Sequence, residues 1–207
     1  MPSLSNIWNF FALGGPIVGL LVLISILSLG LIFHKLRQFH QHNVGKKHQI
    51  ETIVALWTKE QYEASLEQMS MLKNAAGHAL AMAMKMRLET GHSRSDIENA
   101  VMMVAKQKLY DYQKGIKTLD AITQIAPLIG LFGTVWGMID AFQALQAAGN
   151  AVDPSQLAGG IWVALLTTAG GLVIAIPVSA FTTWLEARIE SEQILIEVHT
   201  ETIISQK

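Results

Sequence analysis

The chain has 207 residues, 51% of them hydrophobic and only 15% charged, with a mean hydropathy of +0.34. That composition is too apolar for an ordinary soluble globule. A net charge of −1 provides no basic surface for nucleic acid, and a sequence with no cysteine excludes a disulfide scaffold, thiol catalysis and a cysteine-based zinc site.

Asp, Glu, Lys and Arg are missing from residues 1–33, 121–139 and 154–185. Each gap can hold a membrane-spanning helix, which needs about 20 apolar residues. The fold class read from this pattern is all-α, polytopic, with three transmembrane helices, two of them extended into the cytoplasm as long helices.

In chain order, residues 1–15 place Trp8, Phe10 and Phe11 beside Ser5, Asn6 and Asn9, a composition suited to an interfacial anchor. Residues 16–33 form the first apolar run; without a basic n-region or an A-x-A exit it reads as a retained helix rather than a cleaved signal. Just beyond it His34, His40, His42 and His48 are interleaved with Lys35, Arg37, Lys46 and Lys47. Their spacings fit no standard metal site, so no metal is expected, and the cluster reads as a basic collar facing anionic membrane lipids.

Residues 34–120 lack strand alternation and are rich in helix formers. One helix is expected over 49–89, Gly91 is the break, and a second helix opens at Ser95-Asp-Ile-Glu98, a capping-box spacing. No strong stop precedes the next apolar run, so this second helix is expected to continue into the membrane as one rod. Met69, Met71, Met82, Met84, Met86, Met102 and Met103 read as packing material. The second span covers 121–145, a connection 146–157, the third span 158–180, and the tail 181–207 keeps helical apolar spacing. Thirteen of the fifteen Lys and Arg lie between Lys35 and Lys117, the others being Arg188 and Lys207. Because cytoplasmic segments retain positive charge, this orients the N-terminus outside and the C-terminus inside.

The spans themselves carry two stripes of small residues. Gly130, Gly133, Thr134, Gly137, Ala141 and Ala144 fall on one helical face, with a G-x-x-x-G spacing at Gly133 and Gly137; Gly160, Ala164, Thr167 and Gly171 form another, with Thr168 at its edge. Such stripes allow close helix packing, and hydroxyls at mid-depth can also line a narrow polar path. Two stripes in each chain exceed what a single three-helix subunit is expected to pair, which points to a homo-oligomer. No P-loop, nucleophile elbow or HExxH is present, so neither an enzyme nor a cofactor is expected.

The stretch Ala126-Pro-Leu-Ile-Gly-Leu-Phe-Gly-Thr-Val-Trp-Gly-Met-Ile139, with Asp140-Ala-Phe142 after it, resembles the second-span signature of the ExbB/TolQ/MotA proton-channel family. Residues 160–177 resemble that family's other signature, and three spans with a large first cytoplasmic loop are most like ExbB and TolQ. The resemblance implies a bacterial inner-membrane motor subunit driven by the proton gradient. It implies a pentamer around single-span partners of the ExbD or TolR type, whose Asp carries the proton, with work delivered through a TonB-like protein. It also carries over Thr134 and Thr168 as pore-lining threonines, and Pro127 and Pro177 as prolines near the inner membrane face, where helices kink. The family usually has a Glu five residues before the second pore threonine, and Val163 stands there. Asp140 is the nearest intramembrane acid, either facing the bundle or snorkelling to the outer surface. An ExbB-type transport motor, a TolQ-like envelope motor and a non-conducting scaffold of the same fold all agree with these residues.

Overall fold

A computed structural model describes residues 4–148 and 154–206, and the side chains from Gly15 onward with few exceptions. It contains α1 (Leu4–His42), α2 (Lys47–Thr58), α3 (Tyr62–Ser70), α4 (Ala75–Leu88), α5 (Arg94–Gln113), α6 (Ile116–Ala148) and α7 (Pro154–Ser205). Among the described residues there is no strand. The protein is an all-α polytopic membrane protein, with three stretches among the described residues long and apolar enough to cross a bilayer. The chain divides into two compact units, one of Met1–Ile32 and Lys117–Thr182, the other of Phe33–Ile116 and Thr183–Lys207. The aromatic anchor at Trp8, Phe10 and Phe11 and the middle of the 146–157 connection lie outside the described side chains.

In the first unit, segments of α1, α6 and α7 keep large apolar side chains on their outer surfaces. Leu23 and Ile26, Leu128 and Trp136, Trp162 and Val173 are all exposed, as suits helices facing lipid or neighbouring helices. Inside α1 the backbone leaves helical geometry at Gly15 (φ 60°, ψ −161°), directly before Pro16. Helical geometry continues through Pro127 in α6 and Pro177 in α7.

The second unit departs from the sequence expectations in three places. The single helix expected over 49–89 is three helices. Glu60 takes a positive φ of 64° between α2 and α3, and Asn74 caps α4, its side chain accepting from the Gly77 backbone N–H at 2.9 Å. An amide side chain competing for backbone donors favours a cap over a helix interior. Next, α5 opens two residues earlier than expected. Ser93, not Ser95, is its cap, with Asp96 reaching back to the Ser93 backbone N–H at 2.9 Å; two serines two positions apart each precede an acid at capping distance. Last, the expected rod is broken. α5 ends at Gln113, and Gly115 takes a φ of +81° before α6 begins, a left-handed conformation available to glycine at little cost. The tail, by contrast, continues the third apolar run without interruption to Ser205.

The core of this unit gathers Ile50, Trp57, Met69, Leu80 and Met84 from α2–α4 with Leu185 and Ile203 from α7, all at 0% exposure. Met69 and Met84 are packing material, whereas Met71, Met102 and Met103 are exposed. Glu192 also lies at 0% exposure. Its carboxylate accepts from the backbone N–H of Gly45 at 2.7 Å and of Ala76 at 2.9 Å, and from Asn74 Nδ2 at 3.2 Å. One acid thereby fastens α7 to the turn after α1 and to the N-terminus of α4, where the helix dipole favours negative charge. Gly45 has a φ of +79°, a left-handed conformation that favours glycine in the turn that donates to Glu192, while a Cβ there would meet only the flexible Arg188 side chain, its Cδ at 2.7 Å.

Burial raises the Glu192 carboxyl above its ordinary range, more than its three donors lower it. Glu192→Ala should lower stability by about 1–3 kcal/mol, because the buried donors are left unpaired. The carboxyl's contribution is largest below its ordinary value of 4.5 and is lost as pH rises through the raised value. The melting-temperature gap between wild type and variant in detergent should therefore narrow as pH rises from 4.5 toward neutrality; a gap that widens contradicts this assignment.

Candidate functional site

The chemistry-bearing residues of the apolar spans lie on α6 and α7. These two helices run antiparallel, and their small residues meet. A Cβ added at Gly130 would lie 2.8 Å from the Thr167 carbonyl oxygen and 2.9 Å from Thr168 Cα; at Gly137, 3.0 Å from Ala164 Cβ; at Gly160, 2.8 Å from Ala141 Cβ; at Gly171, 2.5 Å from the Ala126 carbonyl oxygen. A Cβ at Gly133 would collide with the Thr167 side chain. Removing Cβ lets the backbones approach directly, which is how helices associate where lipid offers no hydrophobic drive. The two stripes meet each other inside one chain and so do not need further subunits as partners, contrary to the sequence expectation; the surfaces left for neighbours are the outward apolar ones.

A hydrogen bond crosses this contact. Thr167, 3% exposed, donates to the Gly130 carbonyl at 3.1 Å while also lying 2.7 Å from the Ala164 carbonyl. Thr134 is half-buried, its hydroxyl donating to the Leu131 carbonyl of its own helix at 2.6 Å. Thr168 is half-buried, and its Oγ1 is enclosed with no hydrogen-bond partner among the described residues. Thr168 Cα lies against Gly130, which precedes Thr134 by one helical turn on α6. Val163 adjoins Ala164 and is half-buried; Asp140 is exposed on the single chain, beside rather than within the Gly130, Gly133, Gly137 and Ala141 contact. No acid lies within that contact. The site has hydroxyls and carbonyls that can pass or solvate a proton, but threonine does not itself titrate near neutrality.

Residues 71–198 match the MotA/TolQ/ExbB proton channel family, a span containing both small-residue stripes, both threonines and Val163. The chain belongs to this family. It is similar to an ExbB homolog of Methanothermobacter thermautotrophicus (33% identical over 65% of this chain and 46% of the relative). It is also similar to the biopolymer transport protein exbB1 of Vibrio cholerae (39% identical over 40% of this chain and 36% of the relative). A third relative is the Tol-Pal system protein TolQ of Haemophilus influenzae (38% identical over 38% of this chain and 34% of the relative). The chain thus spans less than half the length of each of these three relatives.

Two features of this family member escaped the sequence reading. Thr167 was placed in the packing stripe without its interhelical hydrogen bond, and no periodicity shows which of two adjacent threonines points across a contact. Glu192 went unremarked, although it sits in the buried series Leu185, Ile189, Glu192, Ile196 and Ile203 of α7; an acid at that spacing was the available signal.

Adjacent glycines provide an internal control. Gly171→Ala would put a methyl group against the Ala126 backbone, whereas a Cβ at Gly170 meets only Leu21 Cδ1, at 3.6 Å. Overpacking of this kind costs about 1–3 kcal/mol, so Gly171→Ala should lower the melting temperature in detergent clearly, and Gly170→Ala by little. Equal effects would contradict the observed helix register.

Proposed function

We propose that this chain is the proton-channel subunit of an ExbB–ExbD type motor, which uses the proton motive force to energise TonB-dependent transport across the outer membrane. The observation that supports this most is the family match across α6 and α7. In this reading residues 1–15 and the 146–157 connection are periplasmic, residues 34–120 and the 181–207 tail cytoplasmic, and the protein resides in the bacterial inner membrane. The outward apolar faces pack in a homo-oligomer, a pentamer by family resemblance, around a single-span ExbD- or TolR-like partner. Thr134 and Thr168 face the shared path a turn apart and relay hydrogen bonds to the partner's acid. The unpartnered Thr168 hydroxyl supports this, since a buried hydroxyl kept only for packing normally finds an acceptor.

Val163 leaves the chain without the usual pore-wall carboxylate, so the partner's acid carries the proton while this chain supplies its surroundings. Asp140 contributes from the outer half. The similarity to TolQ supports a second reading, an envelope-integrity motor built on the same proton path. A non-conducting scaffold is what remains if no proton moves.

Co-expression with the partner and measurement of TonB-dependent uptake and of outer-membrane integrity separate these readings. Thr168→Val should leave the melting temperature unchanged and lower uptake about tenfold, equivalent to about 1.4 kcal/mol on the transfer step; Asp140→Asn should impair uptake and Val163→Glu should be tolerated or raise it. Loss of envelope integrity with uptake unchanged would favour the TolQ-like role. Uptake indifferent to Thr134→Val, Thr168→Val and the partner's Asp would leave only the scaffold.

A further inference from the structure

Within the second unit, Lys35, His42, Lys73, Lys108, Lys114 and Asp111 line a cavity of about 360 Å³. A smaller cavity of about 220 Å³ adjoins it and shares His42 and Lys73. The first volume falls within the range of small-molecule sites, about 300–1,000 Å³. Four ammonium groups face one carboxylate, and Asp111 is already committed, its Oδ1 accepting from Lys114 Nζ at 2.7 Å. None of the ion pairs among the described residues involves Lys35, Lys73 or Lys108.

Lys35 is 3% exposed and is held in place by donating to Gln38 Oε1 at 2.8 Å and to the Tyr112 carbonyl at 2.9 Å. An ammonium has three N–H donors, so one remains. Burial lowers the Lys35 pKa from its ordinary value, with Asp111 only partly opposing; an anion beside it would restore the charged form. His42 packs at a tilt against Tyr112 with ring centroids 5.8 Å apart, and its Nδ1 is enclosed without a hydrogen-bond partner among the described residues. Like charges gathered around a concave wall repel one another, and a bound anion with several acceptor oxygens would offset that repulsion and satisfy these donors together.

We propose that this cavity is a phosphate-binding site, with Lys35, Lys73 and Lys108 as its cationic wall and His42 as a further donor. Lys35 follows Phe33, the last residue of the first charge-free run, by two positions. On α1 the site therefore begins within one turn of the hydrocarbon edge, at the level of phospholipid headgroups. The phosphate belongs to an anionic phospholipid or to a soluble phosphate, and the two sources are distinguishable.

The full chain in nonionic detergent is titrated with phosphatidylglycerol and with phosphatidylcholine of the same acyl chains, read by native mass spectrometry, and with inorganic phosphate, read by calorimetry. Phosphatidylglycerol should bind more tightly than phosphatidylcholine, and Lys73→Gln/Lys108→Gln should weaken it about 30-fold. Asp111→Asn should act in the opposite direction and tighten binding, a result that misfolding cannot mimic. Binding of the anionic lipid without inorganic phosphate identifies the lipid as the source; binding of inorganic phosphate with the same sensitivity to the lysine pair, and no preference for the anionic lipid, identifies a soluble one. If neither probe responds to the lysine pair or to Asp111→Asn, the site does not exist.

Discussion

Direct backbone contact between α6 and α7 is the constraint on which the apolar unit depends. In hydrocarbon, helices gain nothing by hiding leucine from lipid, so association requires shape. Five glycines on the two helices provide it, their missing Cβ atoms replaced by a facing carbonyl, an alanine methyl or the Thr167 side chain. The same register fixes where each threonine lies. Thr167 is consumed by the contact, Thr168 emerges at its edge with an unpaired hydroxyl, and Thr134 stands one turn away. A single methyl group on the contact face would move all three, which links the packing of this unit to whatever proton chemistry it supports.

The second unit rests on a different kind of interaction. Its short helices leave several helix ends within the core, and buried backbone donors must be paired. Glu192 satisfies two of them along with the Asn74 amide, converting the cost of burying an acid into a connection between α7 and two segments more than a hundred residues earlier. Lys35 plays a comparable part on α1, reaching the Tyr112 carbonyl. Polar anchors of this type fix one arrangement of helices where apolar packing alone would permit several. The third apolar run and its tail are one uninterrupted helix, α7, so the chain that carries Thr168 also carries Glu192.

Hydropathy alone made the three spans legible, because a charge-free run of this length is long enough to cross the hydrocarbon and too apolar to be left in water. The small-residue stripes were legible too, but not their partners: a stripe states that something approaches closely without saying what. That ambiguity is why the oligomer was inferred from surfaces that pair within one chain. Helix breaks were the weakest reading. Glu60 and Asn74 interrupt an otherwise helical composition through positive φ and side-chain capping, and Gly115 ends α5 at a position where glycine in a helical pattern is also tolerated. The threonines and Val163 were found through resemblance to a family signature, whereas the orphan hydroxyl of Thr168 is visible only in three dimensions.

The central claim is that the two stripes meet within one subunit. Because the sequence has no cysteine, the double variant Gly137→Cys/Ala164→Cys can be oxidised in membranes without competing thiols. A Cβ at Gly137 would lie 3.0 Å from Ala164 Cβ, under the about 3.5–4.5 Å between the Cβ atoms of a disulfide, so a small outward shift of the helices admits the bridge. The expected product is an intramolecular crosslink: a monomer band of altered mobility on non-reducing gels, with neither single variant giving a dimer. Crosslinking of the double variant chiefly into dimers and higher species would place the stripes between subunits and contradict that claim.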